Sequence, residues 1–219
     1  MSDATRLPIP ASLRRSPIVA VLRARHAAEY APVVEALVAG GVIHVELTLS
    51  TAGVFAEMSG LRERFGSAAS IGIGTITSRS QAERAIEAGA EYLVTPAMLP
   101  EVIAVARAAG IPVFPGGFTP TELFTGWEAG ATAVKVFPAS RLGAGYLTDL
   151  RGPFPGIEVV PSGGLTVEDA AAWLRAGACA VSLGGPLLRD AFDGGSLGAL
   201  TERARELGRT ISELRGAGA

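Results

Sequence analysis

One motif recurs along this chain and constrains its fold more than any other feature: an Ala-rich amphipathic stretch, an Ala-Gly stop, then a short β-branched or apolar run. Val38-Ala39-Gly40-Gly41, Glu87-Ala88-Gly89-Ala90, Ala108-Ala109-Gly110, Glu128-Ala129-Gly130-Ala131 and Arg175-Ala176-Gly177-Ala178 are its copies. Gly just past a last helical turn accepts the left-handed backbone that ends a helix, so each copy reads as helix, stop, strand. Strands that alternate with helices pair in parallel through helical crossovers.

The apolar runs predict eight strands, near 17 to 23, 42 to 48, 70 to 75, 91 to 95, 111 to 116, 132 to 137, 157 to 162 and 179 to 184. Helices fit between them at about 27 to 39, 52 to 65, 79 to 88, 99 to 109, 120 to 129, 145 to 150 and 167 to 176, with a last one after Ser196. Ser78, Thr119, Thr166 and Ser196 are the expected N-caps. The pattern predicts an α/β fold of a single domain over 1–219, a (β/α)8 TIM barrel with a short N-terminal helical extension at 1–16. An open doubly wound sheet is the alternative. Its one dinucleotide-type loop, Gly72-Ile73-Gly74-Thr75, lacks the third glycine.

The 219 residues, 48% of them hydrophobic, suffice for one core. A net charge of −2 without runs of like charge argues against a nucleic-acid partner. The absence of a stretch of ~20 apolar residues argues against a membrane span, and a cytoplasmic protein is expected. Cys179 is the single cysteine and reads as a small buried apolar residue. Among the 19 basic residues, Lys135 is the one lysine. It sits in Ala-Val-Lys-Val-Phe-Pro, an apolar run where an ammonium is costly unless something uses it.

Polar groups at the carboxyl ends of barrel strands are the candidates for chemistry. Lys135 falls on the sixth expected strand and Glu46 on the second, on opposite walls of a ring of eight. Alternation puts Glu46 on one face with His44 and Thr48, and Lys135 on one face with Ala133 and Phe137, so both long side chains converge on the axis. Desolvation disfavours an ammonium, and a free amine is the nucleophile that condenses with a ketone. A partly buried carboxyl suits the accompanying proton transfers. A structural ion pair between Lys135 and Glu46 is the other reading of the same geometry. Ser162-Gly163-Gly164 and Gly184-Gly185 end the last two strands, where such a fold holds anions on bare backbone N–H groups. His44-Val45-Glu46 has a zinc-deaminase spacing without the cysteine half of that motif, and no metal site is expected. His26 reads as solvated, and Trp127 and Trp173 as packing residues.

From about Pro17 to Leu207 the chain resembles the bacterial 2-keto-3-deoxy-6-phosphogluconate, 2-keto-3-deoxy-6-phosphogalactonate and 4-hydroxy-2-oxoglutarate aldolases. The resemblance rests on Val45-Glu46-Leu47-Thr48-Leu49, Gly72-Ile73-Gly74-Thr75, Val94-Thr95-Pro96, Phe114-Pro115-Gly116, Val134-Lys135-Val136-Phe137-Pro138 and Pro161-Ser162-Gly163-Gly164. It implies a class I aldolase in which Lys135 forms a Schiff base with a 2-keto acid and Glu46 shuttles protons. It further implies a pyruvyl pocket of Thr75, Pro96 and Phe137, a distal end at Ser162, Gly163 and Gly164, no cofactor, and a homotrimer. Phosphogluconate-type relatives carry Arg at the position of Ser50 and Ser at that of Pro186, whereas galactonate-type relatives have an arginine at the end of strand one, where Arg23 stands. Arg23 is thereby expected to hold the substrate carboxylate, beside Ser50, and phosphate dependence is expected to be weak. Two rivals share the fold: a barrel that only binds a phosphorylated or carboxylated ligand, and an isomerase or decarboxylase using Lys135 as a charge. The latter normally places an acid where Ala133 stands.

Overall fold

The computed structural model describes residues 6–216; Met1 to Thr5, the start of the expected extension, lie outside the described residues. Helix α1 (Ala11–Arg15) precedes β1 (Ile18–Leu22), α2 (Tyr30–Ala39), β2 (His44–Thr48), α3 (Val54–Phe65), β3 (Ser70–Gly74) and α4 (Arg79–Glu87). Then come β4 (Leu93–Val94), α5 (Pro100–Ala108), β5 (Val113–Phe114), β6 (Gly116–Gly117), α6 (Pro120–Glu128), β7 (Val134–Val136) and α7 (Gly145–Arg151). The chain continues through β8 (Val159–Pro161), α8 (Val167–Arg175), β9 (Val181–Leu183), α9 (Gly185–Leu188) and α10 (Leu197–Gly216).

The recurring stops work as their composition demands. Gly41, Gly89, Gly110, Gly130 and Gly177 all have positive φ, between 69° and 98°, a region open to glycine at no steric cost. Thr119 and Thr166 close reciprocal capping boxes with Glu122 and Asp169, and the hydroxyls of Ser78 and Ser196 accept from the N–H groups of Gln81 and Ala199. The four-residue helix α9 adds to the expected helices, with Pro186 tolerated in its first turn.

All strand pairs are parallel. One ladder runs β5-β4-β3-β2-β1-β9 and the other β6-β7-β8. The strand expected at 111 to 116 is split at Pro115, which has no N–H to donate, and its two halves serve different neighbours. The ladders also approach at their other ends, where the Cys179 N–H donates to the Val159 carbonyl at 3.0 Å and Ser162 bridges Ser182. A curled α/β sheet results.

Strand alternation sorts the buried side chains into two cores. Val45, Leu47, Ile71, Ile73, Leu93, Val134, Val136, Val159 and Val181 join the large cluster under the helices. Val19, Tyr92, Val94, Phe114, Ala133, Val160 and Ala180 form a smaller cluster inside the curl, closed by Ile9 and Leu13 from the α1 segment. Cys179 joins that inner cluster, and burial pushes its thiol up to about 12. The expected parity of β2 and β7 is therefore the observed one.

Candidate active site

Above the inner cluster a cavity of about 560 Å³ opens at the carboxyl ends of the strands. Lys135 and Glu46 line it from β7 and β2, 6% and 1% exposed. The Lys135 Nζ lies 5.0 Å from the centroid of the Phe137 ring, within cation–π range, and Glu46 Oε2 has no hydrogen-bond partner. No ion pair within 4.0 Å joins the two among the described residues. The reading of Glu46 as a contact counter-ion of Lys135 loses its geometry.

Glycines make the room. A Cβ at Gly74 would stand 1.9 Å from Glu46 Oε1, one at Gly72 would stand 2.2 Å from the Tyr92 ring, and one at Gly116 would stand 2.5 Å from the Pro96 carbonyl carbon. Gly72 and Gly74, which resemble half of a dinucleotide loop in sequence, face Glu46 and Thr48 in register on β2 and leave the interior free for the carboxylate. Next to them Thr75 has φ 61°, a costly conformation for a β-branched residue, and it lines the cavity together with Pro96.

Arg23 stands on the rim with its backbone pinned on both sides. The Thr48 hydroxyl donates to the Leu22 carbonyl at 3.0 Å, and the Ala24 N–H donates to the Thr51 hydroxyl at 3.1 Å. Ser162, Gly163, Gly164, Gly184 and Gly185 line the cavity from the ends of β8 and β9, the latter paired with β1. Gly163 has φ 90°, and a Cβ there would press on the Phe137 ring at 2.8 Å. Of the expected site residues, Ser50 alone is not on the cavity wall. It is exposed beyond the end of β2, and its hydroxyl lies 3.0 Å from that of Thr48, which does line the cavity. The chain turns away after Thr48, so Ser50 is exposed and stands off the cavity wall where it was expected to lie.

Sequence reasoning missed Ser182, Arg189 and Asp193, all on the wall. Ser182 follows from the inward parity of β9. Arg189 has φ 49° just after α9, and nothing in the local sequence announces that turn. His26 is exposed and pairs with Glu29 in a capping box, while Trp127 and Trp173 pack against or within the core. Among the described residues no cluster of His, Cys, Asp and Glu could hold a metal ion, and no helix is long and apolar enough to cross a membrane.

Known proteins share this fold. Residues 9–195 match the family model described as KDPG and KHG aldolase. The chain is 36% identical to the 2-dehydro-3-deoxy-6-phosphogalactonate aldolase of Escherichia coli over 79% of its own length and 85% of that protein's. A KDPG aldolase from Legionella pneumophila, solved with pyruvate captured as a covalent carbinolamine, superposes with TM-score 0.82 at 26% identity, covering 90% of this chain and 96% of that one. A cube-shaped cage designed by fusing symmetric oligomeric domains matches with TM-score 0.85 at 33% identity, over 92% of this chain and 74% of that one. The family match and the named relatives make this chain a lyase of the aldolase class. Within that class it belongs to the KDPG and KHG aldolase family.

Proposed function

We propose that Lys135 is the Schiff-base nucleophile and Glu46 the proton shuttle of a class I aldolase that cleaves a 2-keto-3-deoxy sugar acid to pyruvate and an aldehyde. The observation that carries this reading is the meeting, on one cavity of substrate size, of two buried groups that form no ion pair with each other. The Lys135 amine adds to the ketone carbon, and the carbinolamine loses water to give an iminium. The iminium draws the electron pair of the neighbouring carbon–carbon bond as the aldehyde leaves, and the resulting enamine is protonated at carbon. Glu46 Oε2, with no protein partner, is the group free to accept and return those protons.

Arg23 takes the substrate carboxylate, because a guanidinium binds it bidentately and its backbone is held in place by Thr48 and Thr51. Thr75, Pro96 and Phe137 enclose the pyruvyl portion; Ser162, Gly163, Gly164, Gly184 and Gly185 receive the distal end. Arg23 with Ser50, and the relative from Escherichia coli, favour a galactonate-type substrate. Pro186 offers no N–H at the distal end, which weakens dependence on a phosphate there. The catalytic unit is one (β/α)8 barrel domain closed through Pro115 and the Ser162–Ser182 bridge. It works in the cytoplasm as a homotrimer, a reading supported by metabolic relatives and by the symmetric oligomer among its structural matches. Incubation with pyruvate and sodium borohydride followed by peptide mass spectrometry tests the core of the proposal: the reduced adduct is expected on Lys135, and its absence there would overturn the assignment.

A further inference from the structure

Among the described residues four buried side-chain polar atoms have no hydrogen-bond partner: His44 Nε2, Glu46 Oε2, the Tyr92 hydroxyl and Trp173 Nε1. The first three share the inside of the curled sheet. His44 and Glu46 are alternate residues of β2, on the same inward face. The Tyr92 ring lies over Gly72 and the Glu46 carboxylate over Gly74, so these groups occupy adjacent layers along β3, roughly 7 Å apart at two residues of strand rise. Both glycines lack the side chain that would otherwise stand in this space.

His44 and Tyr92 also line a second cavity, about 310 Å³, at the amino ends of the strands. It shares no lining residue with the active-site cavity, and exposed Gly66 and Ser67 form part of its wall, so it reaches the surface on the opposite side of the molecule. The Ser12 backbone stands beside the His44 imidazole, and Nε2 has no hydrogen-bond partner. His44, Glu46 and Tyr92 are at most 4% exposed, so such open polar atoms need a function or solvent to satisfy them.

We propose that Tyr92 and His44 form a proton path from Glu46 through the interior of the sheet to the amino-end cavity, so that Glu46 exchanges its proton with solvent while substrate fills the other end. The proposal rests on the shuttle role assigned to Glu46. When the carboxylate removes a methyl proton from the pyruvate iminium, the C–H electron pair becomes the enamine double bond and the iminium π pair returns to nitrogen. The Glu46 proton then passes by way of one bridging water to the Tyr92 oxygen as the tyrosine hands its own proton on toward His44, and the imidazole passes it to the cavity. One proton moves, and each side chain ends as it began. Burial, with Glu46 and Glu91 adding to it, raises the Tyr92 hydroxyl well above its ordinary value and keeps it a neutral relay. Burial lowers His44, so the proton does not rest there. Glu91, which also faces the cavity, is paired with Arg62 at 3.4 Å.

The test compares two fates of one enamine in the full-length enzyme. With methyl-deuterated pyruvate and saturating glyoxylate as acceptor, washout of deuterium is measured against carbon–carbon bond formation. Tyr92→Phe keeps the ring and removes the hydroxyl; it is expected to lower the washout-to-condensation ratio by about tenfold, with the borohydride adduct yield unchanged. His44→Gln should shift the ratio in the same direction. An unchanged ratio overturns the path, as does an equal loss of both reactions, which marks a structural role. Failure of the wild type to form any adduct on Lys135 would overturn the proposed function, and the path with it.

Discussion

The two ends of the curled sheet are built from the same strands, yet they hold opposite chemistry. Toward the carboxyl ends the inward positions are Glu46, Thr48, Lys135 and Ser162, around a cavity of about 560 Å³. Toward the amino ends Val19, Phe114, Ala133 and Ala180 pack with Ile9 and Leu13 of the N-terminal segment, and His44 and Tyr92 are the polar exceptions, beside a smaller cavity of about 310 Å³. Each strand therefore changes from packing to chemistry within two or three residues. The apolar end fixes the strands, and the polar end can then leave charged groups without partners. Burying such groups is costly, and the apolar cluster below them supplies the contact that offsets it.

Breaking the polar end is expected to abolish activity without unfolding the protein. Lys135→Arg keeps a positive charge and removes the nucleophilic amine, so aldol cleavage should fall by at least about 10,000-fold, as loss of a covalent route does. Steady-state kinetics alongside circular dichroism check it; residual activity near wild type would return Lys135 to the role of a charge. Glu46→Gln should slow exchange of pyruvate methyl protons ~100- to 10,000-fold while the borohydride adduct still forms. Gly74→Ala should act in the same direction, since its methyl would stand 1.9 Å from Glu46 Oε1.

Arg23→Ala probes the rim, where the effect is expected to be smaller. Losing a hydrogen bond to a charged group costs about 1.5 to 3 kcal/mol, so KM for pyruvate-derived substrates should rise ~10- to 150-fold with a lesser change in kcat. An unchanged KM would leave the carboxylate to Thr75 and backbone donors.

The apolar packing at the amino ends should respond in stability instead. Ile9→Ala removes buried apolar volume under the sheet and should cost about 2 kcal/mol or more in chemical denaturation, with kcat/KM of the folded enzyme unchanged. A loss of activity at unchanged stability would contradict the division between the ends. The smallest effect concerns His44, which burial holds below its ordinary value. The unfolded chain takes up that proton near pH 6.5 while the folded protein does not, so stability is present above that pH and declines as the pH falls through it toward the folded value. His44→Gln should flatten the stability slope between pH 7 and 5.5 by at most about 1.4 kcal/mol per pH unit; an unaltered slope would show that His44 is free to charge in the fold.

The strand and helix order, the caps at Ser78, Thr119 and Thr166, and the parity that turns Glu46 and Lys135 inward were legible from sequence. All of them arise within a few residues: a glycine that accepts positive φ, a hydroxyl three positions from a free N–H, and a two-residue alternation. The resemblance to aldolases added residue roles that no periodicity carries. Ser50 lies off the cavity wall because alternation stops where the strand does, and the chain turns outward after Thr48.

Tertiary structure decided the rest. Neither the break of the fifth expected strand at Pro115, with each half given to a different ladder, nor the arrival of Arg189 and Asp193 at the cavity can be read from a local pattern. The spacing in Gly72-Ile73-Gly74 says nothing of Tyr92 and Glu46 until the strands are side by side, because a missing side chain matters only through the neighbour that fills its place. The sequence by itself determined which way each side chain points, since that follows from backbone periodicity. Which groups meet inside the sheet, and which are left without a partner, depended on how distant strands curl together.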